Sequence, residues 1–184
     1  TLSWSKKIPF TDSESFTDLV ETIGGGLVAV GSSLNTTSFI MEAVAVKFNA
    51  AGAILWSNSY VGSSGSSSAK RIETDALGNV YVLGDITNGA SQDYFIVKLD
   101  GSGNIARQKY FGTPETDFPL AFTRNSTNGS FYIGGWHSIG TGENIHLLKV
   151  DSSMAVSWDL LVDGTIKYFC YDMKEKANGN ILLA

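Results

Sequence analysis

A lysine closes the same short apolar run three times, at Lys47, Lys98 and Lys149, and both intervals are 51 residues. A repeat on so regular a ruler makes the chain an array of structural units, and its fold must repeat with that period. Around each lysine lies one template: an apolar run ("AVAVKFN", "DYFIVKLD", "NIHLLKVD"), a turn of small residues, then Trp56, Arg107 or Trp158. Trp4 stands about one period before Trp56.

Each unit carries four strand-like runs. In the second unit they cover residues 68–75, 79–86, 93–100 and 105–111. All are rich in Val, Ile, Tyr or Phe and are bounded by Gly, Asn, Asp or Ser, which is the composition of hairpins. The third unit repeats them at 119–125, 130–137, 144–151 and 156–162, the first at 17–23, 27–33, 43–49 and 54–60. No helical periodicity of useful length interrupts them.

The third run of each unit decides the arrangement. Val44, Val46 and Phe48 point one way and Ala43 and Ala45 the other, so both faces are apolar; Phe95, Val97 and Leu99 against Tyr94 and Ile96 repeat this. A small sheet that is oily on both faces must lie between two neighbours. Four-stranded antiparallel sheets at a 51-residue period predict an all-β fold of β-propeller blades. Residues 1–10 read as the last strand of a preceding blade, 11–62, 63–112 and 113–163 as three blades, and 164–184 as half of another. Three and a half blades do not close a ring, for which about four to eight are needed. A longer chain, or assembly of several copies, is therefore expected.

Segment 75–105 ("DALGNVYVLGDITNGASQDYFIVKLDGSGNI"), with "GGGLVAVGSS" (24–33) and "AVKFNAAGAILW" (45–56), resembles the seven-bladed propeller repeats called SBBP repeats. That resemblance implies scaffold or adhesion modules of large secreted or surface proteins, with no assigned catalysis. It transfers no functional residues. Arg107 in place of Trp, and Met154-Ala155 in place of Gly-Asn, depart from the pattern.

Composition narrows the chemistry. With a net charge of −5 and a pI near 4.9, the chain lacks the clustered cations that nucleic-acid binding requires, so no nucleic-acid partner is expected. Cys170 is the only cysteine, which excludes an internal disulfide and a multi-cysteine metal site. Asn35, Asn125 and Asn128 head glycosylation triplets, consistent with an extracellular or cell-surface setting; a cytoplasmic one is the alternative. No apolar stretch approaches the roughly 20 residues of a membrane helix.

Candidate chemical groups are few. His137 and His146 are the only histidines. His146 takes the place of Val44 and Phe95 and is expected in the packing between blades, with its nitrogens bonded locally. Trp136-His137, at a strand end, is the more accessible pair and the candidate binding site. The loop Asp100-Gly101-Ser102-Gly103-Asn104 resembles the start of a calcium loop, but Ile105 and Phe111 stand where Gly and Glu are needed. As a dinucleotide fingerprint (Gly101, Gly103, Ala106) it lacks the following helix, so a tight turn is expected. The three lysines form either an arc of positive charge or stems packed on apolar neighbours with Asn49, Asp100 and Asp151 close by. No catalytic residue, metal or cofactor is assigned. The expected function is a non-enzymatic scaffold or recognition module, with protein or glycan partners at the rim loops 35–39, 87–92 and 138–143. The alternatives are a propeller hydrolase, lyase or quinoprotein with its site in other blades, and a glycan-binding propeller.

Overall fold

The computed structural model describes residues 13–60, 65–139, 142–162, 169–176 and 178–184. Among them the alternation of branched and aromatic residues with short turns produces strands and no helix. β1 (Ser13–Thr22), β2 (Gly26–Asn35), β3 (Ile40–Phe48) and β4 (Ile54–Tyr60) form one antiparallel sheet in sequence order. β5 (Ser67–Thr74), β6 (Val80–Asn88), β7 (Ser91–Leu99) and β8 (Ile105–Phe111) form a second. β9 (Asp117–Arg124), β10 (Phe131–Ile139), β11 (Gly142–Val150) and β12 (Val156–Val162) form a third, and β13 (Met173–Glu175) pairs with β14 (Ile181–Leu183). Residues 1–10, with Trp4, lie outside the described residues. No helix among the described residues is long and apolar enough to cross a membrane.

The turn between the third and fourth strands is built the same way in each sheet. Asn49, Asp100 and Asp151 each turn the side-chain Oδ1 back to accept the backbone N–H groups two and four residues on, at 2.8 to 3.0 Å. This Asx geometry requires a left-handed residue, supplied by Gly52 (φ 77°), Gly103 (φ 82°) and, in the third sheet, Met154 (φ 62°). The left-handed conformation costs a side-chain-bearing residue about 1–2 kcal/mol. Met154 recovers this by burying its side chain between the second and third sheets, a gain of about 1.5–3 kcal/mol.

Consecutive sheets stack face to face. Val28, Val30, Ala43 and Ala45 of the first share a core with Ala69, Val82, Val97 and Leu99 of the second. Tyr81, Leu83, Tyr94 and Ile96 of the second meet Phe122, Phe131, Ile133 and Leu148 of the third, and Ala121, Tyr132 and Leu147 of the third meet Cys170 and Met173. The two-faced third strands account for this: Ala43–Val46 and Tyr94–Val97 are buried without a break. First strands gather at one side, where β5 touches both β1 and β9, while β8 and β12 lie at the exposed outer edge.

Polar ties cross each gap. At the inner edge Thr17 Oγ1 donates to the Ala69 carbonyl (2.8 Å), and Asp18 Oδ2 accepts the Ile72 N–H (3.2 Å). At the outer edge Trp56 Nε1, Asn58 Nδ2 and Tyr60 Oη donate to carbonyls of the β7–β8 turn: Gly101 (3.0 Å), Gly103 (3.0 Å) and Gly103 (2.6 Å). Arg107 takes the place of Trp56 in the second sheet, and its charge lies beside Asp151 of the third.

Two expectations from sequence change. The hairpin tips are tighter than the loop expected at 87–92, because Thr87 pairs with Gln92 and Asn88 with Ser91, leaving Gly89 (φ 67°) and Ala90 to turn the chain. β1 also begins at Ser13, earlier than its apolar pattern suggests.

The first strands are bulged, near Thr17, Lys70 and Leu120, which brings their carbonyls against a glycine of the second strand. A Cβ at Gly31, Gly84 or Gly135 would lie 1.9, 2.3 or 1.9 Å from the oxygen of Ser15, Ser68 or Phe118. Gly31→Ala is therefore expected to destabilise the fold by about 3 kcal/mol, the upper range for overpacking, measured by chemical denaturation. A loss below half a kilocalorie would show that the bulge relaxes freely.

Candidate functional site

The third sheet departs from the second near the start of its first strand. Ser67 opens β5, paired with Ile86, and Phe95 lies on β7 nearby; a cavity of about 30 Å³ there is lined by Ser67, Ile86 and Phe95 among others. At the matching positions of the third sheet stand Asp117 (opening β9), His137 (paired with it on β10) and His146 (on β11). Three apolar or neutral residues are thus replaced by an acid and both histidines of the chain.

These side chains converge. Asp117 Oδ1 lies 2.9 Å from His137 Nδ1 and 2.9 Å from His146 Nδ1. Its Oδ2 accepts the backbone N–H of Thr113 (2.8 Å) and the Thr113 hydroxyl (3.0 Å). The other ring nitrogen of His146, Nε2, is 2.9 Å from Asp159 Oδ1 on β12. Asp117, His137 and His146 are buried, with side-chain exposures of 0, 3 and 2%, whereas Asp159 is 52% exposed.

Burial alone would raise the Asp117 pKa, but the bonds from His146, Thr113 and His137 outweigh it and hold the carboxyl below its ordinary range. For His146 burial disfavours the imidazolium, yet the bond to Asp117 and the charge of Asp159 prevail and raise its pKa. His146 therefore bridges two carboxylates through its two ring nitrogens. Tyr94, fully buried in the adjoining sheet, packs its ring 5.5 Å from that of His146. Its hydroxyl has no hydrogen-bond partner and lies against Gly135, the residue opposite His146.

The sequence singled out two of these positions, His137 and His146, and Trp136 beside them. His146 sits between sheets with both nitrogens locally bonded. His137, expected to be accessible, is enclosed, because the β10–β11 hairpin continues past it to Ile139 and Gly142. Trp136 is half-buried and stacked on Phe118 (4.6 Å between centroids). Asp117, Asp159 and Thr113 were missed; the signal for Asp117 was its place opposite His137 at a strand start.

The remaining candidates are engaged elsewhere. The Asp100 carboxylate is spent on Ser102 and Asn104 within a hairpin turn, and β8 follows in place of a helix. Lys98 lies over Tyr81 (5.6 Å) and Lys149 over Tyr132 (5.1 Å), each on the neighbouring second strand, so cation–π contacts hold them. Asn35 donates to Glu42 and Asn125 to Glu175 through their amide nitrogens. Asn128 is exposed; its side-chain oxygen accepts from Ser130, and its backbone N–H donates to Asn125 Oδ1.

Comparison with models of known protein families finds no match, and comparison with curated proteins finds no significant similarity.

A second ionisable group lies where the first strands meet. Burial pushes the Glu73 pKa up to about 7 against the backbone bond from Arg124, with the charge of Asp18 adding to the rise. The unfolded chain ionises Glu73 from 4.5 and the folded chain only near 7, so its contribution to stability is complete below 4.5 and is lost as pH climbs through 7. Glu73→Gln, which keeps the acceptor for Arg124, is expected to be more stable than the parent at alkaline pH by about 1–2 kcal/mol after solvent screening. The advantage should vanish in acid. Denaturation at a series of pH values tests this, and a pH-independent difference would refute it.

Proposed function

We propose that the chain is a run of β-propeller blades of the SBBP-like kind, acting as a non-enzymatic scaffold or recognition module of a larger extracellular or cell-surface protein. The observation that carries this reading is the face-to-face stacking of three equivalent four-stranded sheets in chain order, with first strands gathered and fourth strands outermost. That is how blades radiate from an axis.

Two further features support it. The exposed side of β12 carries Val156, Trp158, Leu160 and Val162, and a mostly apolar cavity of about 270 Å³ separates Tyr132 and Trp158 from Met173 and Leu183. Trp158 holds the position from which Trp56 grips the turn of the next sheet, so this face suits another blade from the same longer chain or from a second copy. Partners, protein or glycan, would meet the rim hairpins such as 36–39, where Phe39 is exposed with φ 56°.

Imaging of the native full-length polypeptide by electron cryomicroscopy is expected to show residues 13–162 as three consecutive blades of a closed ring; an open sandwich would overturn the proposal. For the extracellular setting, expression in a glycosylating secretory host should add a glycan that Asn128→Gln removes. Asn35→Gln should leave the mass of the glycoform unchanged, because the Asn35 amide is tied to Glu42. Absence of any glycan after secretion would count against that setting.

A further inference from the structure

We infer that Asp117, His137 and His146 form a binding site for one divalent first-row transition ion of the zinc class, serving to fasten the third sheet. The site is independent of the propeller reading. Its donors are an imidazole nitrogen from each of two strands and a carboxylate oxygen from a third, all within 4.8 Å of one another. Such an ion takes nitrogen and oxygen ligands at about 2.0–2.2 Å, which places ligands a little over 3 Å apart in a tetrahedron. The 2.9 Å separations from Asp117 Oδ1 to both Nδ1 atoms need only slight widening. The fourth position falls to water or to the Thr113 hydroxyl, 3.2 Å from His137 Nδ1.

The surroundings are those of a ligand set. His146 presents Nδ1 to the site while its Nε2 faces the Asp159 carboxylate, the outer partner that orients a metal-bound imidazole. Asp117 has its second oxygen fixed by Thr113, which aims the first inward. The hydroxyl of buried Tyr94 is unpartnered beside the cluster.

Packing does not explain the histidines, since the second sheet fills these places with Ile86 and Phe95 and leaves a cavity of about 30 Å³, room for a water-sized particle.

The test is titration of the purified full-length protein, freed of metal by chelation, with Zn²⁺ and with Co²⁺. One ion per chain is expected, with the intense visible bands of four-coordinate Co²⁺ and a rise in the unfolding temperature that chelator reverses. Asp159→Asn should retain one ion with affinity reduced about 10–100-fold, the usual cost of losing an outer partner. His137→Gln should lose more. No retained ion and no shift in unfolding temperature for the folded wild-type protein would overturn the proposal and leave the cluster a hydrogen-bonded charge network. One ion held with unchanged affinity by a folded His137→Gln protein would equally overturn it, by placing the ion elsewhere. The wild-type titration decides the matter even where a variant does not fold.

Discussion

The need to hide both faces of a small sheet governs this molecule. Val46 and Val97 have almost no contact with water, and neither could be covered by its own four strands. Each sheet must find a neighbour on either side, so the unit of stability is the gap between sheets. Apolar burial supplies the bulk of the attraction but has no preferred direction. Direction comes from polar ties such as those at the two edges of the first gap, Thr17 to Ala69 and Trp56 to Gly101.

The same constraint explains the glycines and the bulges. A first strand that must meet both its own sheet and the first strand of the next cannot run straight. The bulge at Thr17 turns its hydroxyl across the gap to Ala69 and at the same time drives the Ser15 carbonyl onto Gly31. A side chain is given up at one position so that a cross-sheet bond can form at another. Lys70, at the matching bulge of the second sheet, reaches Asp85 at 2.9 Å, out of line for a hydrogen bond but close enough to pair its charge.

Much of this was legible in the sequence because it is periodic. The fourth strands, Ile54–Tyr60, Ile105–Phe111 and Val156–Val162, coincide with the predicted runs, since Asx turns precede them and their patterns repeat. The first strands were less legible because their starts are polar and their bulges break the alternation. The His–Asp cluster was hardest, as its members at 117, 137, 146 and 159 lie on four strands and obey no linear spacing. Strand register makes them neighbours, and the trace in the sequence is that histidines stand where the second unit holds Ile86 and Phe95.

The outer-edge grip differs from one gap to the next. Trp56, Asn58 and Tyr60 seize bare carbonyls of a glycine-rich turn, whereas Arg107 faces the acid of a turn whose left-handed place is filled by Met154. The first seam does not accept the second's turn: a Cβ at Gly103 would lie 2.8 Å from the Trp56 ring, so a methionine in that place would collide with the indole. The units, alike in backbone, thereby differ at this seam, and recombination that set the Met154 turn against Trp56 would produce a mismatch.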